Sequence, residues 1–304
     1  MKIGIMAGGT PGADASLDGI LTLAKEVETR GFETLWLAHI RSHDAVMALA
    51  YAGTVTERIE LATAVTPIQP RHPVALAQQA LSASAMSNGR FSLGVGLSHQ
   101  LVIEDMYGLA WVHPAKTMRE HLAAMTPLLN RKTSRADGDI YRTNIALDVP
   151  DAVTPVSVLI AAMGPRMLAL AGSSTQGTIL WMTGPKTIES YVCPTMQKAA
   201  DESGRPTPRT MAAFPVLLTN DEQAGRMLIA EQLVHYGRLP SYRGMLDREG
   251  VDGPADIALV GDEASLRAGI AALASAGTTD FAAALVEDGT GSAARTISFL
   301  QTLL

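Results

Sequence analysis

Two histidines stand where an apolar run gives out. "TLWLAH" (34–39) ends on His39, and "RFSLGVGLSHQ" (90–100) passes Gly94 and Gly96 to reach Ser98 and His99. Histidine donates or accepts a proton near neutral pH, so either residue suits general acid or base work. A lone histidine here is more often a packing group. Two at the ends of two strands make a site the stronger reading. "AAMGPR" (161–166) offers a second chemistry. Gly164 leaves its amide open, Pro165 suits a first helical turn, and Arg166 adds a positive charge. A helix N-terminus of this kind favours phosphate. The plain alternative is a strand-to-helix turn with a surface arginine, and the residues alone leave the two even. His43, His72 and His113 stand just before helices, and His121 and His235 fall in helical patterns. No histidine or carboxylate cluster has metal-ligand spacing, so no metal is expected. No Gly-x-Ser-x-Gly elbow occurs, and Cys193 has no obvious base, which weakens covalent catalysis.

These residues need a scaffold that brings distant strand ends together. Apolar runs at "KIGIMAG", 34–39, 59–68, "RFSLGVG", 156–163, 177–183, 210–218 and 279–286 predict eight strands. Helical periodicity separates them: a stripe from Leu17 to Val27 capped by Ser16, a helix over 44–56, and one from Pro73 to about Gly89. Further helices follow 165, run over 263–276 behind Asp262, and close the chain at 292–303. Continuous apolar strands alternating with helices imply a parallel sheet covered on both faces. Eight such units predict an α/β fold, a TIM-like (β/α)8 barrel, with residues 1–304 as one domain. No Gly-x-Gly-x-x-Gly follows the first strand, which argues against a Rossmann fold. The strand ends read "AGGT", "AHIR", "TAVTP", "GLSH", "AAMGPR" and "WMTGP". They bring Thr63, Met163, Trp181 and Met182 to the same rim as the two histidines, and their small residues leave room for a large flat ligand. Insertions at 100–113 and 221–258 belong to the C-terminal face, where barrel enzymes keep their sites. Tyr107, Trp111 and Tyr242 in them are candidate substrate walls. The stretch 131–154 follows a helix and is expected on the opposite face.

Composition narrows the partners. The chain has 304 residues, 47% of them hydrophobic and 18% charged, so a large core is feasible. A net charge of −6 argues against nucleic acid, which needs clustered basic faces. No run of about 18 apolar residues predicts a membrane span. The start "MKIGIMAGGT" reads as a first core strand rather than a signal peptide. A single cysteine excludes an internal disulfide and fits a reducing cytoplasm. The expected partners are a small-molecule substrate and a second copy of the chain.

The segments "TLWLAH", "ATAVTPIQPRHPVALAQQA", "NGRFSLGVGLSH", "LIAAMGPRMLALAG" and "GTILWMTGP" together resemble the bacterial luciferase-like monooxygenase superfamily. The likeness is greatest to its deazaflavin branch, which uses coenzyme F-420. "GVGLSHQ", "WMTGPKT" and "PSYRGMLDREG" are similar to an actinobacterial group of that branch, and the resemblance runs over nearly the whole chain. It implies a coenzyme ring at the C-terminal mouth and hydride exchange with an activated C=C, C=N or C=O group. The alternative within the superfamily is an FMN-dependent monooxygenase using reduced FMN and oxygen. By the same resemblance, Gly94 and Gly96 keep their strand low under the ring. Ser98 and His99 reach its pyrimidine side or the substrate, and His39 touches it. Ala64 and Val65 form a bulge behind it, joined by a non-proline cis peptide, and Met163, Gly164 and Arg166 hold its phosphate. The branch's sugar-phosphate dehydrogenases carry an Asp-His pair and a glutamate where this chain has His39-Ile40 and His99, which argues against that substrate.

Overall fold

A computed structural model describes residues 1–9 and 14–304; Thr10, the end of "AGGT", lies outside the described residues. The strands are β1 (Lys2–Ala7), β2 (Thr34–Leu37), β3 (Glu60–Thr63), β4 (Thr66–Pro67) and β5 (Phe91–Gly96). They continue as β6 (Ser157–Ala161), β7 (Gly177–Trp181), β8 (Arg209–Leu218), β9 (Leu259–Gly261) and β10 (Asp280–Leu285). Every pairing is parallel. The order β10-β1-β2-β3-β5-β6-β7-β8 returns from β8 to β10, so eight strands close a barrel.

Alternation along each strand sorts side chains into two cores. Ile3, Ile5, Leu35, Leu37, Leu93, Val95, Phe214 and Phe281 face the surrounding helices. Met6, Trp36, Ala62, Leu159, Ile179, Trp181, Met211 and Ala282 fill the barrel. Its N-terminal end is plugged by charge. Arg209 donates to Glu60 at 2.9 and 3.1 Å and to Asp280 at 2.6 and 3.2 Å, while Ser92 donates to Glu60 at 2.6 Å. A guanidinium shared by two carboxylates is the arrangement that makes ions tolerable inside a barrel.

Three features depart from the sequence reading. The third strand, expected over 59–68, breaks into β3 and β4 at a cis Ala64–Val65 peptide, the bond that the resemblance implied. Within the 221–258 insertion lie helices at Glu222–Gln232 and Pro240–Glu249, and β9 follows it directly. β9 pairs with Val216–Leu218, beyond the point where β7 stops at Ala213. Three residues are too few for a periodic signal, so this strand escapes sequence analysis. The third departure is 131–154, which does not stay on the opposite face. After α4 (Pro114–Leu129), bridges Ser134–Ile145 and Asp137–Arg142 fold it into a hairpin. Its tip climbs back along α4: the Ile140 amide donates to Glu120 at 2.7 Å, and Tyr141 packs edge-on to His121 and His72. Glu120 lies in the second turn of α4, and a carboxylate there collects the hairpin's free amides.

Candidate active site

The C-terminal mouth is floored by small residues. Ala38, Ala64 and Ala161, at the ends of β2, β3 and β6, are each partly exposed, with Gly96 of β5 buried among them. The close approach that Gly94 and Gly96 allow in this structure is that of neighbouring protein. A Cβ on Gly94 would stand 1.9 Å from the Thr63 carbonyl oxygen and 2.5 Å from Ile179 Cδ1. One on Gly96 would stand 2.5 Å from Val65 Cγ2. Thr63 is fully buried; its hydroxyl donates to the Gly94 carbonyl at 2.7 Å and accepts from the Gly94 amide at 2.9 Å. It therefore clasps β3 to β5 rather than facing the mouth.

His39 ends β2 and is held on both sides. Its Nδ1 faces the Ala45 amide at 3.2 Å, and its Nε2 faces Arg71 Nη2 at 3.1 Å. Arg71 also donates to Asp44 Oδ2 at 2.7 Å, while Asp44 Oδ1 caps α2 (Ala45–Gly53) through the Val46 and Met47 amides. Burial, and then the Arg71 charge, push the His39 pKa down against the pull of Asp44. Arg71 and Asp44 were missed in the sequence, where "QPRHP" and "SHDAV" read as turns into helices.

His99 and Ser98 lie where β5 leaves the barrel, with Ser98 in the left-handed region at φ 60°. That turn carries His99 beside an aromatic run. His99 lies 5.8 Å from Tyr242, Tyr242 lies 5.2 Å from Tyr236, and Tyr236 lies 6.2 Å from Trp181, ring centre to ring centre. Burial lowers the pKa of His99 and raises those of Tyr236 and Tyr242, so all three favour their neutral forms. Trp181 is buried with no partner for its Nε1 among the described residues, and its ring tip lies 3.8 Å from where a Cβ on Gly9 would stand. It thus reaches toward the end of β1, two strands beyond its own neighbours in the barrel. Met182, next in sequence, is buried at φ 50°. The structure joins Tyr242 to His99 as a wall. Tyr107 is exposed and Trp111 half-buried on the 100–113 segment, which begins with a π-turn over Val102–Met106 tied to the His99 carbonyl.

Gly164 caps the N-terminus of α5 (Pro165–Ser174) without a side-chain acceptor, and a Cβ there would meet nothing within 4 Å. Arg166 borders a groove of about 580 Å³ that it shares with His113, Pro114, Ala115, Lys116 and Arg119. Lys116 is paired with Asp139 of the hairpin and with Glu120. Among the described residues, Arg119 and Arg166 have no ion-pair or hydrogen-bond partner. The groove is cationic on a chain of net negative charge. Met163, half-buried, packs against both cores just before it. Lys116 and Arg119 escaped sequence analysis. Their signal is a basic pair three apart in "HPAKTMRE", at the start of the helix after the fourth barrel strand. A larger cleft of about 1030 Å³ lies outside the ends of β8, β9 and β10. Its Asp221 and Asp262 cap helices through the Ala224 and Ser265 amides, and its acidic lining does not suit an anion.

Comparison with known proteins gives the family and the fold. The family model for luciferase-like monooxygenases matches residues 1–286. A 5,10-methylenetetrahydromethanopterin reductase of Methanolobus tindarius is 29% identical over 237 residues, covering 76% of this chain and 71% of the relative. A putative coenzyme F-420-dependent oxidoreductase of Mycobacterium tuberculosis is 28% identical over 182 residues, covering 56% and 52%. In fold, the chain is similar to the coenzyme F-420-dependent tetrahydromethanopterin reductase of Methanopyrus kandleri. The TM-score is 0.81 at 22% identity, over 99% of this chain and 97% of the other. It is also similar to an FMN-bound type II Baeyer-Villiger monooxygenase of Pseudomonas putida, with a TM-score of 0.77 at 16% identity over 99% and 96%. Among the described residues no helix is long and apolar enough to cross a membrane. With a family match over residues 1–286 and a closed parallel barrel, the chain belongs to the luciferase-like monooxygenase family of oxidoreductases.

Proposed function

We propose that this protein is a coenzyme F-420-dependent oxidoreductase that exchanges hydride with a small organic substrate bearing an activated C=C, C=N or C=O group. The observation that carries the reading is the strand-to-helix turn after β6, where Ala161 stands at the small-residue floor and Arg166 borders the cationic groove. A flat ring fits over Ala38, Ala64 and Ala161, and a phosphate fits at Gly164 and Arg166. The buried Nε1–H of Trp181, without a partner among the described residues, is a hydrogen-bond donor of the kind that a ring's polar edge would satisfy. The relatives named for F-420 and for methylenetetrahydromethanopterin support the deazaflavin over FMN.

The bound coenzyme would supply two-electron chemistry, a hydride on ring carbon. The protein's part is binding, orientation and proton handling. Arg166, with Gly164 and Met163 beside it, and Arg119 would hold the phosphate; His39, Ala64, Val65, Gly96, Ser98 and Trp181 would border the ring. Tyr242, with Tyr107 and Trp111 at the rim, would wall the substrate. His99, whose burial favours the neutral form, would hold a hydrogen bond or exchange a proton beside the reacting atoms. We also propose one barrel unit acting in the cytoplasm as a homodimer; Met47 and Tyr51 of α2 are exposed apolar side chains that a second copy could cover. Titration of the purified protein with F-420 and with FMN, followed by oxygen uptake, tests the reading. Tighter binding of F-420 and no oxygen consumption are expected. Tighter FMN binding with oxygen consumed on adding reduced FMN would overturn it in favour of a monooxygenase.

A further inference from the structure

The surroundings of His39 present two fixed donors to a ring that can satisfy only one. The Ala45 amide belongs to the first residue of α2, so its N–H is held by the helix. The Arg71 guanidinium has no acceptor atom and does not lose its proton. It is fixed in turn by Asp44 Oδ2 at 2.7 Å and by the Pro67 carbonyl at 3.3 Å. A neutral imidazole offers one bare nitrogen, which accepts from one of these donors. An imidazolium has N–H groups at both nitrogens, and both would point into other N–H groups. Asp44 does not relieve this, because its oxygens are engaged by the Val46 and Met47 amides and by Arg71. Arg71 and Asp44 are the charged groups that act on the ring, the first from the loop before α3 (Pro73–Met86), the second from the cap of α2.

We propose that Arg71, anchored by Asp44, is a positioning residue that pins His39 in its neutral form, so that His39 serves as a hydrogen-bond partner and the reaction's proton passes through His99 or water. This rests on the mouth being the reactive site but not on which coenzyme it takes. The arrangement gives a physical reason to rank His99 ahead of His39 as the proton carrier. His39 is clamped by donors on both nitrogens. His99 has only burial acting on its charge and lies against an aromatic wall.

The test is histidine titration by long-range 1H–15N spectra of the coenzyme-free protein, with the His39 signal assigned by its loss in His39→Gln. Wild-type His39 should keep the neutral nitrogen pattern to a pH below that of free imidazole. Arg71→Met should move its titration upward by about one pH unit, the scale of a like charge removed from contact. Arg71→Lys, which restores a cation, should return it toward wild type. Asp44→Asn keeps a capping oxygen but leaves Arg71 uncompensated, and should move the titration down. Arg71→Met leaving it unmoved, or both substitutions moving it the same way, would overturn the proposal. So would a wild-type His39 that titrates like free imidazole, a measurement that needs no variant to fold. Because coenzyme is absent, none of these results depends on the choice between F-420 and FMN.

Discussion

His121 links the hairpin to the loop that carries Arg71, and its burial makes a measurable prediction. The ring is fully buried in the second turn of α4, with Tyr141 edge-on at 5.4 Å. Its Nε2 faces the Arg71 carbonyl at 3.3 Å; a carbonyl only accepts, so the proton of the neutral ring belongs on Nε2. Nδ1 is then bare, buried and without a partner among the described residues. Protonating it would place a charge where nothing receives it. Burial, helped by nearby His72 and opposed by the Arg71 carbonyl, lowers the pKa from 6.5 to about 4. The folded value is depressed, so as pH falls the unfolded chain takes the proton first. The stabilisation is therefore complete above about pH 6.5 and is lost as pH falls toward 4. Between pH 7 and pH 5 those two values give a loss of about 2 kcal/mol. Urea unfolding of the wild type and of His121→Phe at both pH values measures it. The substitution removes the hydrogen bond to Arg71 at both pH values, so that cost cancels. The acid loss of the wild type should exceed that of His121→Phe by about 2 kcal/mol. Equal losses would refute the reasoning and place His121 in contact with water or a partner that accepts its charge.

The other predictions concern the mouth and the plug. Gly96→Ala should destabilise the fold by about 1–3 kcal/mol, because its methyl must displace Val65. Gly164→Ala, facing open space, should cost far less in the same denaturation assay. Arg209→Met should cost about 3–5 kcal/mol in urea unfolding by leaving Glu60 and Asp280 uncompensated. Arg166→Ala should weaken phosphorylated coenzyme roughly tenfold or more while sparing a phosphate-free deazaflavin; binding titrations with both separate a phosphate contact from a folding effect. His99→Ala should keep the fold and lower turnover by about 10²–10⁴-fold if His99 handles the proton. His99→Gln, which keeps a hydrogen bond but not the titration, should lower it similarly.

The barrel was legible because its signals are local. Apolar runs at "KIGIMA", "TLWL", "FSLGVG" and "DFAAAL" appear as β1, β2, β5 and β10, and Ser16 and Asp262 cap the helices that they precede. Side-chain type and spacing along a few residues decide such features, and a parallel arrangement follows from strands apolar on both faces. The rim positions of His39, His99, Trp181 and Arg166 were legible for the same reason, since a strand's end is read from where its apolar run stops. What each residue does there was not. Gly94 and Gly96 are explained by Thr63, Ile179 and Val65, contacts made across neighbouring strands. Arg71 reaches His39 from 32 positions away, and Tyr141 reaches His121 over a hairpin whose two short bridges carry no periodic signal. The sequence alone determines which residues end the barrel strands, because the strand and its terminus are local properties. Only the tertiary structure decides their charge states and partners, because those depend on burial and on groups that closure of the barrel brings together.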